Sequence, residues 1–374
     1  MLNILKHPSS KSASAIEENT SDPSAFENSV TRANKFIENG NWEAAYPYIK
    51  TAVETKPDYA QGFNHLGIYY TKHQRSSEAI ITFRKALQID FTMTEAHYNL
   101  ANLYMERKEY NKSLSHFKEV VVANPGDYET YYLMGLCCIH SNLEKDALAF
   151  FYESLRLAPA HIPSVVELCR ILIKNDNCSK AKNILLSLLK NDASVIEVHF
   201  LLGVIHKIQK NYAKAMKHFH QTLLKDKNNT AAYNLLGECC IELKMEEQAK
   251  TLFAMAIKLD TTFLSAFYNL GDLYYRQKKY ADAISTMEEY VKTKKAADSI
   301  SELWSETPVA NNEEEIIPLY NLLGYCYKMA HNPIKARDYW KISLAIQPQQ
   351  QDITAALNDT KQPSPRKRVS LVID

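Results

Sequence analysis

The glycines of this chain keep a fixed spacing. Gly203, Gly237 and Gly271 stand 34 residues apart, and Gly67, Gly135 and Gly203 stand 68 apart. The two skipped places hold Ala101 and Cys169, and Gly324 rejoins the series after an insertion. Six of only nine glycines therefore share one phase, where about 26 scattered glycines would be expected at the usual share of roughly 7%. A period of this length means like units stacked in a row, each burying its apolar face against the next, and not one closed core.

Cutting the chain at Phe26, Ala60, Thr94, Tyr128, Ile162, Ile196, Thr230, Leu264 and Ile317 gives nine windows that agree at further columns. Twelve residues past the glycine place stand Ala45, Ala79, Ser113, Ala147, Ala181, Ala215, Ala249, Ala283 and Ala336. Four residues on stand Ile49, Phe83, Phe117, Phe151, Leu185, Phe219, Phe253, Met287 and Trp340. Pro57, Pro125, Pro159 and Pro348 close four windows. Apolar residues recur at helical spacing on both sides of a polar break such as Lys72–Ser76 or Arg276–Lys279, which predicts two helices joined by a tight turn. Small residues are needed where the two backbones approach, large ones fill the space beside them, and proline stops the second helix.

Composition narrows the chemistry. Apolar residues make up 46% and charged residues 23%, so the chain can bury a sizeable interior. Lys plus Arg (44) nearly cancels Asp plus Glu (43), and the basic residues are scattered, which speaks against nucleic acid as a partner. No G-x-G is present, so neither a dinucleotide fingerprint nor a phosphate-cradling loop is available. Seven cysteines at irregular spacing without a C-x-x-C read as small hydrophobes in a reduced, cytoplasmic protein. No run approaches the 18 or so apolar residues of a membrane span. Among twelve histidines, His218 and His220 lie two apart on a helix and so on different faces, while His199 and His206 occupy aromatic columns and read as core residues. No nucleophile stands in a turn with base and acid partners. The expectation is a chain with no catalytic residues, cofactor, metal or small-molecule substrate.

The columns resemble the tetratricopeptide repeat family. Tyr233-Asn234-Leu235-Leu236-Gly237 followed by Ala249, Phe253 and Ala256 carries the likeness, as does Phe267-Tyr268-Asn269-Leu270-Gly271 with Tyr274 and Ala283. The likeness covers residues 26 to 350. It implies an all-α, right-handed α-solenoid of about nine helix-turn-helix units, whose first helices line an inner groove. Two windows depart from the pattern: the first has Arg32-Ala33 in place of Leu-Gly, and the fifth has Cys169 and no aromatic residue, suggesting a distorted joint. In the family's frame, positions two, five, nine and twelve of each window point inward. The partner-binding set is then Asn34, Asn64, Tyr98, Asn102, Tyr132, Arg170, Phe200, Asn234, Glu238, Tyr268, Asp272, Tyr275, Asn321 and Tyr325. Tyr and Phe offer flat contact at low rotamer cost, and Asn can bond a peptide backbone. Family members that clamp the C-terminal carboxylates of heat-shock chaperones place Lys at position five, where this chain has neither Lys nor Arg, so that clamp is not expected.

Outside repeats 1–8 (26–297) and repeat 9 (317–350) lie four segments. Residues 1–25 read as a disordered Ser-rich lead, and 298–316 as an insertion loop in which Trp304 offers a contact for a partner. Residues 351–361 read as a capping helix. Residues 362–374 read as a basic tail that places Ser370 after Arg366-Lys367-Arg368 as a modification site. The functional expectation is a non-catalytic scaffold that binds peptides or helices of other proteins and organises a multiprotein assembly. Two other readings compete with it. One is self-association into a structural coat. The other is the regulatory arm of an enzyme, prompted by the ending Leu371-Val372-Ile373-Asp374, which resembles the first strand of a receiver domain.

Overall fold

A computed structural model of the chain describes residues 23–191, 195–304 and 313–360. These residues form nineteen α-helices, one short 3-10 helix and no strand. Eighteen of the helices run as nine pairs. The first four are Pro23–Glu38 with Trp42–Thr55, Ala60–Lys72 with Ser76–Ile89, Thr94–Glu106 with Tyr110–Ala123, and Tyr128–His140 with Glu144–Leu157. Ile162–Lys174 and Cys178–Asn191 follow as the fifth. The last four are Ile196–Ile208 with Tyr212–Lys225, Thr230–Glu242 with Glu246–Leu259, Leu264–Arg276 with Tyr280–Trp304, and Ile317–Met329 with Pro333–Ile346. Gln351–Asp359 closes the series, its Ile353 buried in the core of repeat 9. The chain divides into two compact units between Ile171 and Leu172. That division falls inside the repeat where Cys169 replaces glycine.

Within each unit the periodic columns have a plain steric cause. A Cβ added at Gly135 would lie 2.5 Å from the Phe151 ring, and one added at Gly203 would lie 2.6 Å from Phe219. The same notch recurs at Gly67 with Phe83, Gly237 with Phe253, Gly271 with Met287 and Gly324 with Trp340. The large second-helix side chain, a ring in every case but Met287, thus fills the space a side chain would take, and the two helices cross closely. All nine members of the Ala/Ser column are fully buried.

The turn between paired helices is set by one left-handed residue per repeat. Gly40, Gln74, Lys108, Asn142, Asp176, Lys210, Lys244, Lys278 and His331 all have φ between 57° and 71°. In repeat 2 the Gln74 N–H donates to the Thr71 carbonyl at 3.0 Å and the Arg75 N–H to the Tyr70 carbonyl at 2.9 Å. This is the paired bonding that ends a helix with an αL residue. The turn after each second helix is built in two ways. Pro57, Pro125, Pro159 and Pro348 each sit two residues past a helix end. Where proline is missing, Asp90, Asp226 and Asp260 accept from the backbone N–H two residues on, at 2.8 to 3.0 Å.

The structure moves two expected boundaries. Pro23–Glu38 takes in three residues assigned to the lead, of which residues 1–22 lie outside the described residues. The second helix of repeat 8 runs on to Trp304, and Glu313–Ile316 forms the 3-10 helix, so both ends of the expected loop are helical. Proline and glycine, the strongest helix breakers, are absent from residues 296–303. The side chain of Trp304, residues 305–312, and the tail with Ser370 lie outside the described residues.

Candidate functional site

The first helices carry the expected ligand-facing positions, and the rings at position five have a common support. Tyr98 packs edge-on to Phe117 with ring centres 5.8 Å apart, Tyr132 leans on Phe151 at 6.0 Å, and Phe200 packs edge-on to Phe219 at 6.0 Å. At position nine Tyr325 meets Trp340 edge-on at 5.3 Å. The second-helix residue under each ring belongs to the column that closes the helix crossing. Each ring is half-buried, held on one side and open on the other. Burial raises the phenols of Tyr132 and Tyr268, with Glu167 and Glu129 adding to it at Tyr132 and Asp272 at Tyr268. Tyr275 is half-buried against Tyr280, with ring centres 5.7 Å apart.

Three of the asparagines bond other side chains of the protein, and two of them are buried. Asn64 and Asn234 are 0% and 3% exposed. Asn64 donates to Glu95 at 3.2 Å and accepts from Asn99 at 3.2 Å. Asn234 donates to Glu238 at 2.8 Å and accepts from Asn269 at 3.0 Å. Asn321 donates to Gln350 at 2.7 Å and accepts from Ser343 at 2.6 Å. Their amides join neighbouring helices, because a buried amide without partners costs about 1–3 kcal/mol, and Asn64 and Asn234 are not open to a peptide backbone. Asn102 is half-buried, and Asn34 is exposed. Arg170 is also exposed, 3.6 Å from Glu167.

In the second unit Glu238 and Asp272 open onto a cavity of about 360 Å³ formed by repeats 6 to 8. Its wall is charged and largely paired: Lys207 binds Glu238, and Arg276 meets Asp272 at 2.7 Å. Tyr212 donates to Glu242, and burial and that bond both raise its phenol. Gln277 donates to Glu246 at 2.8 Å. Tyr212, Lys244, Glu246 and Arg276 are wall residues that positions five, nine and twelve do not include. Glu242 and Arg276 are the last residues of their helices, one step past position twelve, and Tyr212 and Glu246 open second helices. A frame restricted to the middle of the first helix passes over all of them.

All seven cysteines are buried and none forms a disulfide, and burial pushes Cys138 and Cys239 up to about 11 and Cys169 and Cys326 up to about 12. Among the described residues no group of three or more His, Cys, Asp or Glu is set to hold a metal ion. Nor is any helix among them long and apolar enough to cross a membrane.

Comparison with known proteins bears on this geometry. Tetratricopeptide repeat profiles match residues 30–90, 94–127, 208–262 and 265–293. Anaphase-promoting complex subunit 3 of Schizosaccharomyces pombe is 24% identical over 224 residues, 60% of this chain and 32% of that protein. Human DnaJ homolog subfamily C member 7 is 24% identical over 243 residues, 64% of this chain and 44% of that protein. The chain thus spans less than half the length of either relative. A solved structure of the APC/C hetero-tetramer Cut9–Hcn1 superposes with a TM-score of 0.54 at 17% identity, over 93% of this chain and 64% of that one.

Proposed function

This chain is a tetratricopeptide repeat protein, and from that premise we propose that it is a non-catalytic scaffold binding an extended or helical segment of another protein along its first helices. The observation that carries the reading is the half-exposed rings of Tyr98, Tyr132 and Phe200 at position five, each backed by a second-helix aromatic residue. A ring held from behind loses little entropy when a partner covers its open face, which is the economy that favours Tyr and Phe at contact surfaces. Tyr98, Tyr132, Phe200, Tyr268, Tyr275 and Tyr325 form the contact set, with Asn102, Glu238 and Asp272 as its polar members. The buried Asn64 and Asn234 and the internally bonded Asn321 are omitted. A role in organising a multiprotein assembly is supported by a relative that is a named subunit of such a complex. A reducing, cytoplasmic setting fits seven cysteines that form no disulfide.

Replacing Tyr98, Tyr132 and Tyr268 together with alanine is expected to abolish capture of partners, identified by affinity purification and mass spectrometry, while circular dichroism stays unchanged. Capture that survives the triple substitution in a folded protein turns the reading down.

A further inference from the structure

The charges of the chain cancel over its whole length, 44 basic against 43 acidic, but not along it. Nine helices take the second place in a repeat, and seven of them contain Asp or Glu. The two without are Cys178–Asn191 and Tyr212–Lys225, second helices of adjacent repeats, and they carry six lysines between them. Ile196–Ile208, which joins them in the series, adds only Glu197. Like charge gathered in this way repels itself and works against the folded state. The steric columns of the frame do not ask for it, since they use only the inner side of a second helix.

The lysines point outward. On Tyr212–Lys225 the exposed Lys214, Lys217, Gln221, Leu224 and Lys225 share one face at helical spacing, and the opposite face buries Ala215, Phe219 and Thr222. On Cys178–Asn191, Leu186 stands between Lys182 and Lys190 at four-residue spacing. Burial holds the imidazoles of His206 and His218 below their ordinary value, and Lys182 adds to it at both, so the field of one helix is felt on the other. Lys207 has Glu238 as its partner. None of Lys190, Lys210, Lys214, Lys217, Lys225 and Lys227 has a carboxylate partner among the described residues.

The residue types narrow what an anionic partner can be. Nucleic acid is gripped by the two-pronged guanidinium and by rings that stack on bases. No arginine stands between Arg170 and Arg276, Phe219 is buried, and Tyr212 is turned to Glu242. A helix that lies on a membrane gives its apolar face to the lipid, and here both apolar faces are spent in the core, at Ala181, Leu185 and Leu188 and at Ala215 and Phe219. What remains on the outside is lysine with isolated leucines, Leu186 at 38% and Leu224 at 67% exposure. Carboxylates with apolar side chains spaced between them complement that mixture.

We propose that the outer faces of Cys178–Asn191 and Tyr212–Lys225 form a second docking surface, distinct from the first-helix lining, for an acidic polypeptide segment of a partner that carries leucine-like side chains among its carboxylates. The lysines draw the segment in over about a Debye length, roughly 10 Å at 0.1 M salt, and the leucines give it a place to settle.

The test uses the full chain and a fluorescent peptide of repeated Glu-Glu-Leu, read by anisotropy. Binding is expected to weaken as salt is raised, and Lys214→Glu/Lys217→Glu/Lys225→Glu to weaken it at least roughly tenfold. The same charge change at Lys118, Lys258 and Lys341, exposed on the second helices of repeats 3, 7 and 9, is expected to leave binding nearly unchanged. The alanine variant of Tyr98, Tyr132 and Tyr268 is expected to do the same, which keeps this surface separable from the inner lining. A peptide of glutamates alone is expected to bind more weakly, and Leu224→Ser to shrink that difference. Equal weakening by both charge changes, no binding of the Glu-Glu-Leu peptide, or tighter binding of phosphatidylserine vesicles or a single-stranded oligonucleotide overturns the proposal. Should the charge-reversed variant fail to fold, hydrogen exchange of the wild type with and without peptide decides. Protection gained within 178–225 supports the surface, and protection gained only elsewhere removes it.

Discussion

The inner lining of repeats 2 to 4 and that of repeats 6 to 8 are built on the same frame and differ in chemistry. In the first unit the half-buried lining residues include Ile68, Tyr98, Met105, Tyr132, Leu136 and Ile139. In the second, Lys207, Glu238, Glu242, Asp272 and Arg276 face a cavity. Behind both linings stand the same glycine notch, the same buried alanine column and the same left-handed turn. The frame is fixed by steric columns that leave positions nine, twelve and thirteen unused, and those positions can carry any chemistry without cost to the crossing. One fold can therefore present an apolar strip in one region and a charged cavity in another.

The largest test of that shared frame is removal of the ring from the notch. Phe151→Ala in the first unit and Phe219→Ala in the second are each expected to cost about 3–5 kcal/mol, since both rings are fully buried. Native-state hydrogen exchange in each repeat is the right measurement, because stacked units need not unfold together. Similar losses in the two units support a common frame, and a loss under 1 kcal/mol in either would show that the column is not what holds that unit.

A smaller effect separates the two units through their buried asparagines. Asn234 donates to Glu238, which also accepts from Asn269 at 3.1 Å and pairs with Lys207. Asn64 donates to Glu95, which is exposed to water. Asn234→Leu is therefore expected to cost about 1–3 kcal/mol, and Asn64→Leu about 1 kcal/mol less, because water can replace a partner at Glu95 but not as readily at the cavity wall. Equal costs in urea titrations of the two variants would mean that the cavity network contributes nothing beyond single bonds.

The sequence made the frame readable because its columns answer to contact distances that repeat without change. Gly135 and Gly203 have to be small wherever an aromatic ring follows sixteen residues later, and a period exposes that need. The lining was legible only as a set of positions. Asn64, Asn234 and Asn321 occupy positions expected to face inward, yet their amides turn sideways to bond the next helix, a choice that depends on Glu95, Asn269 and Gln350, 31, 35 and 29 residues away. Tyr212 and Arg276 lie at helix ends, where the turn decides which way a side chain points. Turn chemistry was hidden for a related reason. Eight of the nine left-handed residues are not glycine, and Asp90, Asp226 and Asp260 stand in for proline, so neither usual marker of a turn is present there.

Those non-glycine turns give the smallest effect, and its sign is opposite. Lys244 in the second unit and Asn142 in the first hold φ at 60° and 57°, where a Cβ meets the backbone and glycine does not. Asn tolerates this region better than Lys, because its short side chain bonds locally. Lys244→Gly is expected to raise stability by about 0.5–1 kcal/mol, and Asn142→Gly by less, with the added freedom of glycine in the unfolded chain already subtracted. Gly40, at φ 71° with open space around it, supplies the converse: Gly40→Ala should lose what Lys244→Gly gains. Thermal midpoints of the three variants rank them, and a gain at Asn142 larger than that at Lys244 would show that the turns are held by tertiary contacts of their side chains and not by backbone preference.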